Sequence, residues 1–564
     1  MTSVGGRGDL AAEAPHGRPK LRAPREDRGV LIDPAWSELP ALVAANQARR
    51  AAWSFELAGE PIARFAAAAR EQFLRDAHAY TSAYRDVALP ASIGASTRVL
   101  LAGHQPELFH PGVWAKNFAL DALAGATSSI GVNILIDGDT LKSPSLRVPS
   151  GSLAQPLVEA IPFDLACEEI PYEERGVQDA ALFGSFGDRA TAAIQPLLAE
   201  SQSGPPLLAS FWPDVVAQAA ATKRIGAALA RARHRLEGSW GLNTLELPQS
   251  ALCDSPHFRR FVGHLAGDLA RFVAIHNAEL AAFRRREGVR SANHPVPELA
   301  ADGEWLEAPF WIWSADAPRR RHAFARSVGD EVELTDRADV TLRFRPAAAV
   351  DALEAAGRRG IKLRSRALMT TMYARLVLGD LFLHGIGGGK YDELTDAVAR
   401  RYFGVEPPEF AVVTATRRLP LARSSAKSTP APRERAGDHT AAHIDEPAAR
   451  HRLWELQYHA ERFLDLAALA PAAAEQARSA IAAKAHWLAV EPTRENGKTR
   501  CHALREANAG LAALLEPQLR KWREIHAQTK VEARTGELLG SREYSAWLFP
   551  EQDLRNFLLD IGRH

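Results

Sequence analysis

The densest run of chemistry-bearing residues is Gly103-His-Gln-Pro-Glu-Leu-Phe-His-Pro-Gly-Val-Trp-Ala-Lys-Asn117, with two histidines, a glutamine and a glutamate inside seven positions. His104 and His110 can donate to a bound group or exchange protons with it near neutral pH. Glu107, with Asp137 from the next strand, can orient an amine, and His104, His110, Gln105 and Glu107 form the candidate catalytic set at this loop. The run lies between an apolar strand and a helix starting at Pro111. A helix N-terminus offers unpaired N–H groups and partial positive charge, suited to a phosphate or carboxylate. Gly103, Lys116 and Asn117 complete the loop as candidate substrate- or phosphate-binding residues. The plainer reading is that His110 caps the helix and that the Gly-Pro-rich turn serves the chain alone.

Two further stretches could join it. Asp137 and Asp139 close the next apolar strand, Gly131-Val-Asn-Ile-Leu-Ile, and face the same sheet edge. They could bind hydroxyls, orient a histidine or cap the following turn; Asp137 is a catalytic candidate and Asp139 a binding one. Their spacing to His104 and His110 matches no standard metal-ligand pattern, so no metal site is assigned. The third stretch carries Arg364, Arg366, Thr370 and Thr371, then His384, Gly387, Gly388, Gly389 and Lys390. Glycines between a strand and a helix let backbone N–H groups approach an anion, Lys390 adds a point charge, and planar guanidinium forks clamp carboxylates or phosphates. It is not a Walker A loop: the spacing is one residue short, and Tyr391 follows the lysine.

These residues need a frame. Apolar runs from Arg98 to Gly103 and from Gly131 to Ile136, with a helix from Pro111 to about Leu123 between them, form the strand–helix–strand pattern of a parallel sheet. A second strand–loop–helix unit runs from Leu381 through the 387–389 glycines to a helix over 391–403. Two helices are expected between Pro34 and Arg85. Another, opened by Ser255-Pro256, is expected through Arg286. β-Hairpins are expected from Trp305 to Arg345. Trp305, Phe310, Trp311 and Trp313 read as sheet-face or core aromatics, and the runs 284–286 and 319–321 as solvated basic faces. Beyond a Ser/Thr/Pro-rich linker, Leu453, Leu456, Ala460, Phe463 and Ala467 step by three and four in a coiled-coil pattern. A return helix carries Leu504, Leu511 and Ile525, and Pro517 kinks or splits it. The expected layout is a disordered leader over 1–30 and a core over 31–422 with helical and β insertions at about 150–345. A linker over 423–448, a helical hairpin over 449–540 and a segment over 541–564 returning to the core complete it.

Composition narrows the classes. The chain has 564 residues, long enough to bury a large core. With 69 basic and 68 acidic residues its charge is +1, which argues against a nucleic-acid partner. No apolar run suggests a membrane span or a secretory signal. Three scattered cysteines, Cys167, Cys253 and Cys501, form no disulfide framework, so a cytoplasmic location is expected.

The first loop resembles the G-Q-Q-x-G-L-x-x-G-P loop of the bacillithiol biosynthesis cysteine-adding enzymes. The stretch 363–404 is similar to their Arg-led segment running into a strand and a Gly-Gly-x-G loop. Glu543-Tyr-Ser-Ala-Trp-Leu-Phe-Pro-Glu-Gln-Asp-Leu-Arg-Asn is similar to the segment after their coiled coil. Gly103, Gln105, Leu108 and the 387–389 glycines match position by position. His104, Pro106, Glu107, His110 and Lys390 depart. The resemblance implies an α/β fold: a Rossmann-like parallel-sheet core with helical insertions and a C-terminal antiparallel coiled coil that can pair two chains. It also implies a carbon–nitrogen ligase that joins cysteine to the amino group of glucosaminyl malate, an amine and an amino acid being the small-molecule partners. The cofactor is open, with ATP and Mg²⁺ as candidates. Separately, His110-Pro-Gly-Val resembles the H-x-G-H signature of class I nucleotidyltransferases, with Val113 in place of the second histidine. Adenylyl transfer is therefore one alternative, and a non-catalytic coiled-coil ligand-binding protein is another.

Overall fold

The computed structural model describes residues 20–88, 93–94, 97–153, 155–200, 203–421 and 445–563. In chain order the strands of its two large sheets are β1 (Val30–Asp33), β2 (Val99–His104), β3 (Ile130–Leu135), β4 (Leu245–Pro248), β5 (Trp305–Ser314), β6 (Ala317–Val328), β7 (Glu331–Thr335), β8 (Thr341–Phe344), β9 (Ile361–Ser365), β10 (Leu381–His384) and β11 (Ala411–Ala415). The helices up to the second sheet are α1 (Leu39–Ala51), α2 (Ile62–Ser82), α3 (Pro111–Ala126), α4 (Ala180–Glu200), α5 (Leu208–Thr222), α6 (Ile225–Ser239), α7 (Gln249–Asp254), α8 (Pro256–Gly267) and α9 (Leu269–Glu287). After it come α10 (Ala349–Arg358), α11 (Ala367–Tyr373), α12 (Ile386–Phe403), α13 (Glu446–Tyr458), α14 (Pro471–Ala489), α15 (Gly497–Ala513), α16 (Glu516–Leu539) and α17 (Glu551–Leu559).

The first sheet runs β1-β11-β10-β2-β3-β4. Its last five strands are parallel, and β1 joins the β11 edge antiparallel. Counted in chain order, the parallel strands lie 3-2-1-4-5 from β4 to β11, so the order reverses between β2 and β10. A crevice opens at the carboxyl ends of the strands where such an order reverses. Alternate residues feed two cores. Val99, Leu101, Val132, Ile134 and Phe382 pack on one face with α2, α8 and α9. Leu100, Ala102, Leu381, Leu383 and Val413 pack on the other with α3, α5 and the C-terminal segment. Burial on both faces is why these strands read as unbroken apolar runs.

The β2–α3–β3 unit forms as the sequence pattern predicts. Pro111 opens α3, and His110 caps it, Nδ1 accepting from the Gly112 N–H at 3.1 Å. Helix α3 is buried almost all round because the sheet lies on one side and residues 546–561 on the other. There Trp114 stacks on Trp547 at 5.0 Å. The expected hairpins form the second sheet, β8-β7-β6-β5-β9, entirely antiparallel.

Three local expectations change. The helix expected from Ser255 to Arg286 is two helices, because Asp268 leaves helical geometry at φ −132° and ψ 33° between α8 and α9. The 387–389 glycines are not a loop: they form the first turn of α12, whose N-cap is Gly385. Glycine is needed there for room, since a methyl on Gly389 would meet Val412 Cγ2 at 2.7 Å and one on Gly388 would meet His384 Nδ1 at 2.9 Å. The helix expected through Ala467 stops at Tyr458 and restarts at Pro471 after a short 3-10 turn at Ala460–Arg462. Pro517 does split the return arm, sitting in the first turn of α16 where it costs no backbone bond.

In this extension α14 packs along α15 and α13 along α16, around Leu456, Ala460, Ala477, Leu511, Leu515 and Leu519. Residues 1–19 of the leader and 423–444 of the linker lie outside the described residues. The described part of the leader reaches the core: Pro24 accepts from Thr416, and Asp27 pairs with Arg417. Among the described residues no helix is long and apolar enough to cross a membrane.

Candidate functional site

A cavity of about 570 Å³ occupies the crevice at the order reversal. Its floor is Gly103, His104 and Gln105 from the end of β2, Lys116 from α3, His384 from β10, and Gly387 and Gly388 from α12. Gly138, Asp139 and Gln249 form one wall. Trp311, Arg320, Arg366, Thr370 and Thr371 form the other.

The floor is basic and only partly satisfied. His104 is 6 % exposed and packs against Phe109 at 4.8 Å, and neither ring nitrogen has a hydrogen-bond partner among the described residues. Burial, with Arg233 and Lys116 nearby, holds its pKa well below the ordinary histidine value, so it is neutral. Lys116 Nζ donates to the Gly103 carbonyl at 3.0 Å, and burial pushes its pKa down to about 8. An ammonium has three protons, so two remain for a ligand. His384 Nε2 lies 2.8 Å from Asp392 Oδ2, and burial lowers its pKa as well.

The walls meet through Asp139. It accepts from Gln105 Nε2 at 3.0 Å and pairs with Arg320 at 2.9 Å, tying the β2 loop, the β3 loop and the second sheet together. Arg320 and Arg366 stand over the Trp311 ring at 4.7 and 5.1 Å. Arg366 is also anchored by Glu307, and Gln249 Nε2 donates to Thr370 Oγ1 at 2.8 Å.

The remaining candidates from the sequence lie elsewhere. His110 faces the C-terminal segment, Nε2 3.5 Å from Glu543. Glu107 accepts from the Tyr172 hydroxyl at 3.1 Å. Asp137 accepts from Ser250 N at 2.9 Å, and burial, reinforced by Glu173, pushes its pKa up to about 7. Arg364 is saturated by Glu173 and Asp254, so it has no fork free for a ligand. Gly389 packs on Val412, and Lys390 sits 3.7 Å from Glu287.

Asn117 points into a buried polar cluster, donating to Glu237 at 2.7 Å. His234, Glu237 and Glu246 in that cluster lie close enough to ligate an ion. The Arg233 guanidinium already bridges the two carboxylates, which is the charge a metal would otherwise supply.

The sequence reading missed Trp311, Arg320, Gln249 and His276 as cavity residues, and Asp392 behind His384. Alternation along 305–314 marked a strand, but nothing local says which face of it meets a distant sheet edge. A scan against protein-family models finds no match for this chain, and a search of the curated proteins finds none either.

Proposed function

We propose that the protein is an amide-forming ligase of the bacillithiol cysteine-adding type, built on a Rossmann-like core. One observation carries the reading. The three segments of the resemblance, hundreds of residues apart in the chain, converge on one place. Residues 103–105 and 387–388 line the cavity, and 543–549 pack on the loop that begins it, with the Ala546 N–H donating to the Phe109 carbonyl at 2.9 Å and Trp547 stacked on Trp114. The 3-2-1-4-5 strand order supports the Rossmann-like description of the core.

The cavity chemistry suits two small polar substrates. Lys116, His104 and the N-terminus of α12 offer donors to a carboxylate or phosphate, and Arg320, Arg366 and Trp311 offer a second cationic wall. The amine nitrogen attacks the carboxyl carbon of cysteine, the C–N bond forms and the C–O bond breaks. A free carboxylate is a poor electrophile, so the acyl carbon arrives activated. The floor fits the phosphates of an activating nucleotide. Asp139 is the acidic residue among the described cavity residues, and it is engaged by Arg320 and Gln105, which leaves no free carboxylate for Mg²⁺.

Adenylyl transfer through His110 and Lys390 loses its support, since neither lines the cavity. The helices α13–α16 read as an antiparallel coiled coil able to pair two chains, and Trp454 and Tyr458 on α13 are half exposed. Cys167 and Cys501 are exposed free thiols, in keeping with a reducing cytoplasm.

The test is mass-spectrometric detection of the cysteinyl amide from purified protein, glucosaminyl malate and cysteine, with and without Mg-ATP. Product that forms with wild type and disappears in Lys116→Met supports the reading. No product under either condition rejects it.

A further inference from the structure

His384 ends β10 beside the cavity, and its ring is held from one edge. Nε2 lies 2.8 Å from Oδ2 of Asp392, a buried residue in the second turn of α12. Asp392 is itself fixed: Oδ2 also accepts from Arg375 at 2.8 Å, and Oδ1 accepts from Thr371 at 2.7 Å. Although burial opposes it, Arg375 and His384 hold the Asp392 carboxyl far below its usual range. A carboxylate in this state accepts and never donates, so the shared proton belongs to His384 Nε2 and the lone pair to Nδ1. No hydrogen bond reaches Nδ1 among the described residues; His384 and Gly388 both line the cavity, and a methyl at position 388 would crowd Nδ1 at 2.9 Å.

We propose that His384 Nδ1 is the proton acceptor of this cavity and that Asp392 is the residue that positions it. This rests on the condensation reading above. A substrate ammonium loses one proton to Nδ1, its freed lone pair forms the C–N bond to the activated acyl carbon, and the C–O bond breaks with its electron pair on the leaving oxygen. The second N–H proton departs with that oxygen, so the atoms balance. The charged groups around the ring are Asp392 and Asp396 on α12, Arg375 after α11, and Lys116 on α3. Burial, with Arg375 and Lys116, keeps the imidazole neutral and able to accept.

The experiment uses the full chain labelled with ¹⁵N-histidine, the His384 signals being identified by their loss in His384→Gln. Long-range proton–nitrogen spectra between pH 5 and 9 should show Nε2 protonated and Nδ1 bare. Asp392→Ala should scatter His384 between both tautomers and lower kcat roughly 10–100-fold with KM little changed. Asp392→Asn should restore the tautomer and part of the rate, because its amide oxygen can face the two donors His384 and Arg375 while its NH₂ faces Thr371. His384→Gln should lose on the order of 10²–10⁴ in kcat. If Asp392→Ala does not fold, the Asn and Gln variants still decide. A proton on Nδ1 in the wild type, an unchanged tautomer in Asp392→Ala, or full turnover in His384→Gln overturns the assignment. If the wild type makes no amide at all, the condensation reading falls, and the spectra alone judge His384: Nε2–H upholds the assignment and Nδ1–H ends it.

Discussion

Lys116 and Asp137 show how burial at the carboxyl edge of a sheet sets charge. Lys116 titrates near pH 8 in the fold, so an anion on the cavity floor meets an ammonium below that pH and a neutral amine above it. Calorimetric binding of inorganic phosphate or L-malate should therefore weaken as pH rises from 7 to 9.5 and vanish in Lys116→Met; an affinity flat across that range would reject the floor as an anion site. Asp137 works the other way. Its pKa of about 7 lies above the unfolded carboxyl value, so its contribution is fully present below the unfolded pKa and is lost as pH rises from there to about 7. Asp137→Asn keeps an acceptor for Ser250 and removes the charge. It should stabilise the protein at pH 8 by about 1–2 kcal/mol, allowing for solvent screening of a part-exposed group, and lose nearly all of that advantage by about pH 4, as folded and unfolded carboxyls both become protonated. Urea unfolding at the two pH values gives the comparison.

At the scale of elements, the site depends on how closely α3 and α12 approach the sheet. Gly112, in the first turn of α3, lies so near β11 that a methyl would fall 2.3 Å from the Ala415 carbonyl. Gly112→Ala should destabilise the fold by roughly 1–3 kcal/mol, the ordinary cost of overpacking, and tilt the helix that carries Lys116. A urea midpoint equal to wild type would show that the first turn can move away freely. The extension behaves differently. Leu511 is fully buried in its seam, so Leu511→Ala should cost about 2–5 kcal/mol locally. Hydrogen exchange should show α13–α16 opening while β2, β3 and β10 stay protected; loss of protection in all of them together would make the extension and the core one cooperative unit.

For the whole molecule, the C-terminal segment belongs to the core although it follows the extension. Trp547, Phe549, Leu554 and Phe557 are each at most 3 % exposed and pack on α3 and α5. Losing such a side chain costs about 3–5 kcal/mol, and whole domains are stable by only about 5–15 kcal/mol. Truncation after residue 540 should therefore leave an unfolded or insoluble chain. Replacing 446–539 by a flexible linker should leave a folded core that still binds anions. Circular dichroism and the same calorimetry distinguish the two, and a folded truncated chain would contradict this account of the core.

Much of the frame was legible in the sequence. The runs ending at His104, Leu135 and His384 are strands because continuous apolar residues suit a sheet covered on both faces, and α3 starts where Pro111 follows a capping residue. These features are local: backbone periodicity, caps and breakers act within a few residues. The same locality let the sequence pick out Gly103, His104, Gln105, Lys116, Asp139, Arg366, Thr370, His384, Gly387 and Gly388, which sit at strand ends and helix starts that the sheet brings to one edge. What it could not settle was which polar groups share an interior. His110 turned to cap its own helix and face Glu543, Arg364 was consumed by Glu173 and Asp254, and Arg320 came over the cavity from a distant hairpin to meet Asp139. Those pairings join residues up to several hundred positions apart. Only the packing of two sheets and the returning C-terminal segment decides them, because a buried charge takes whichever partner the tertiary fold places beside it.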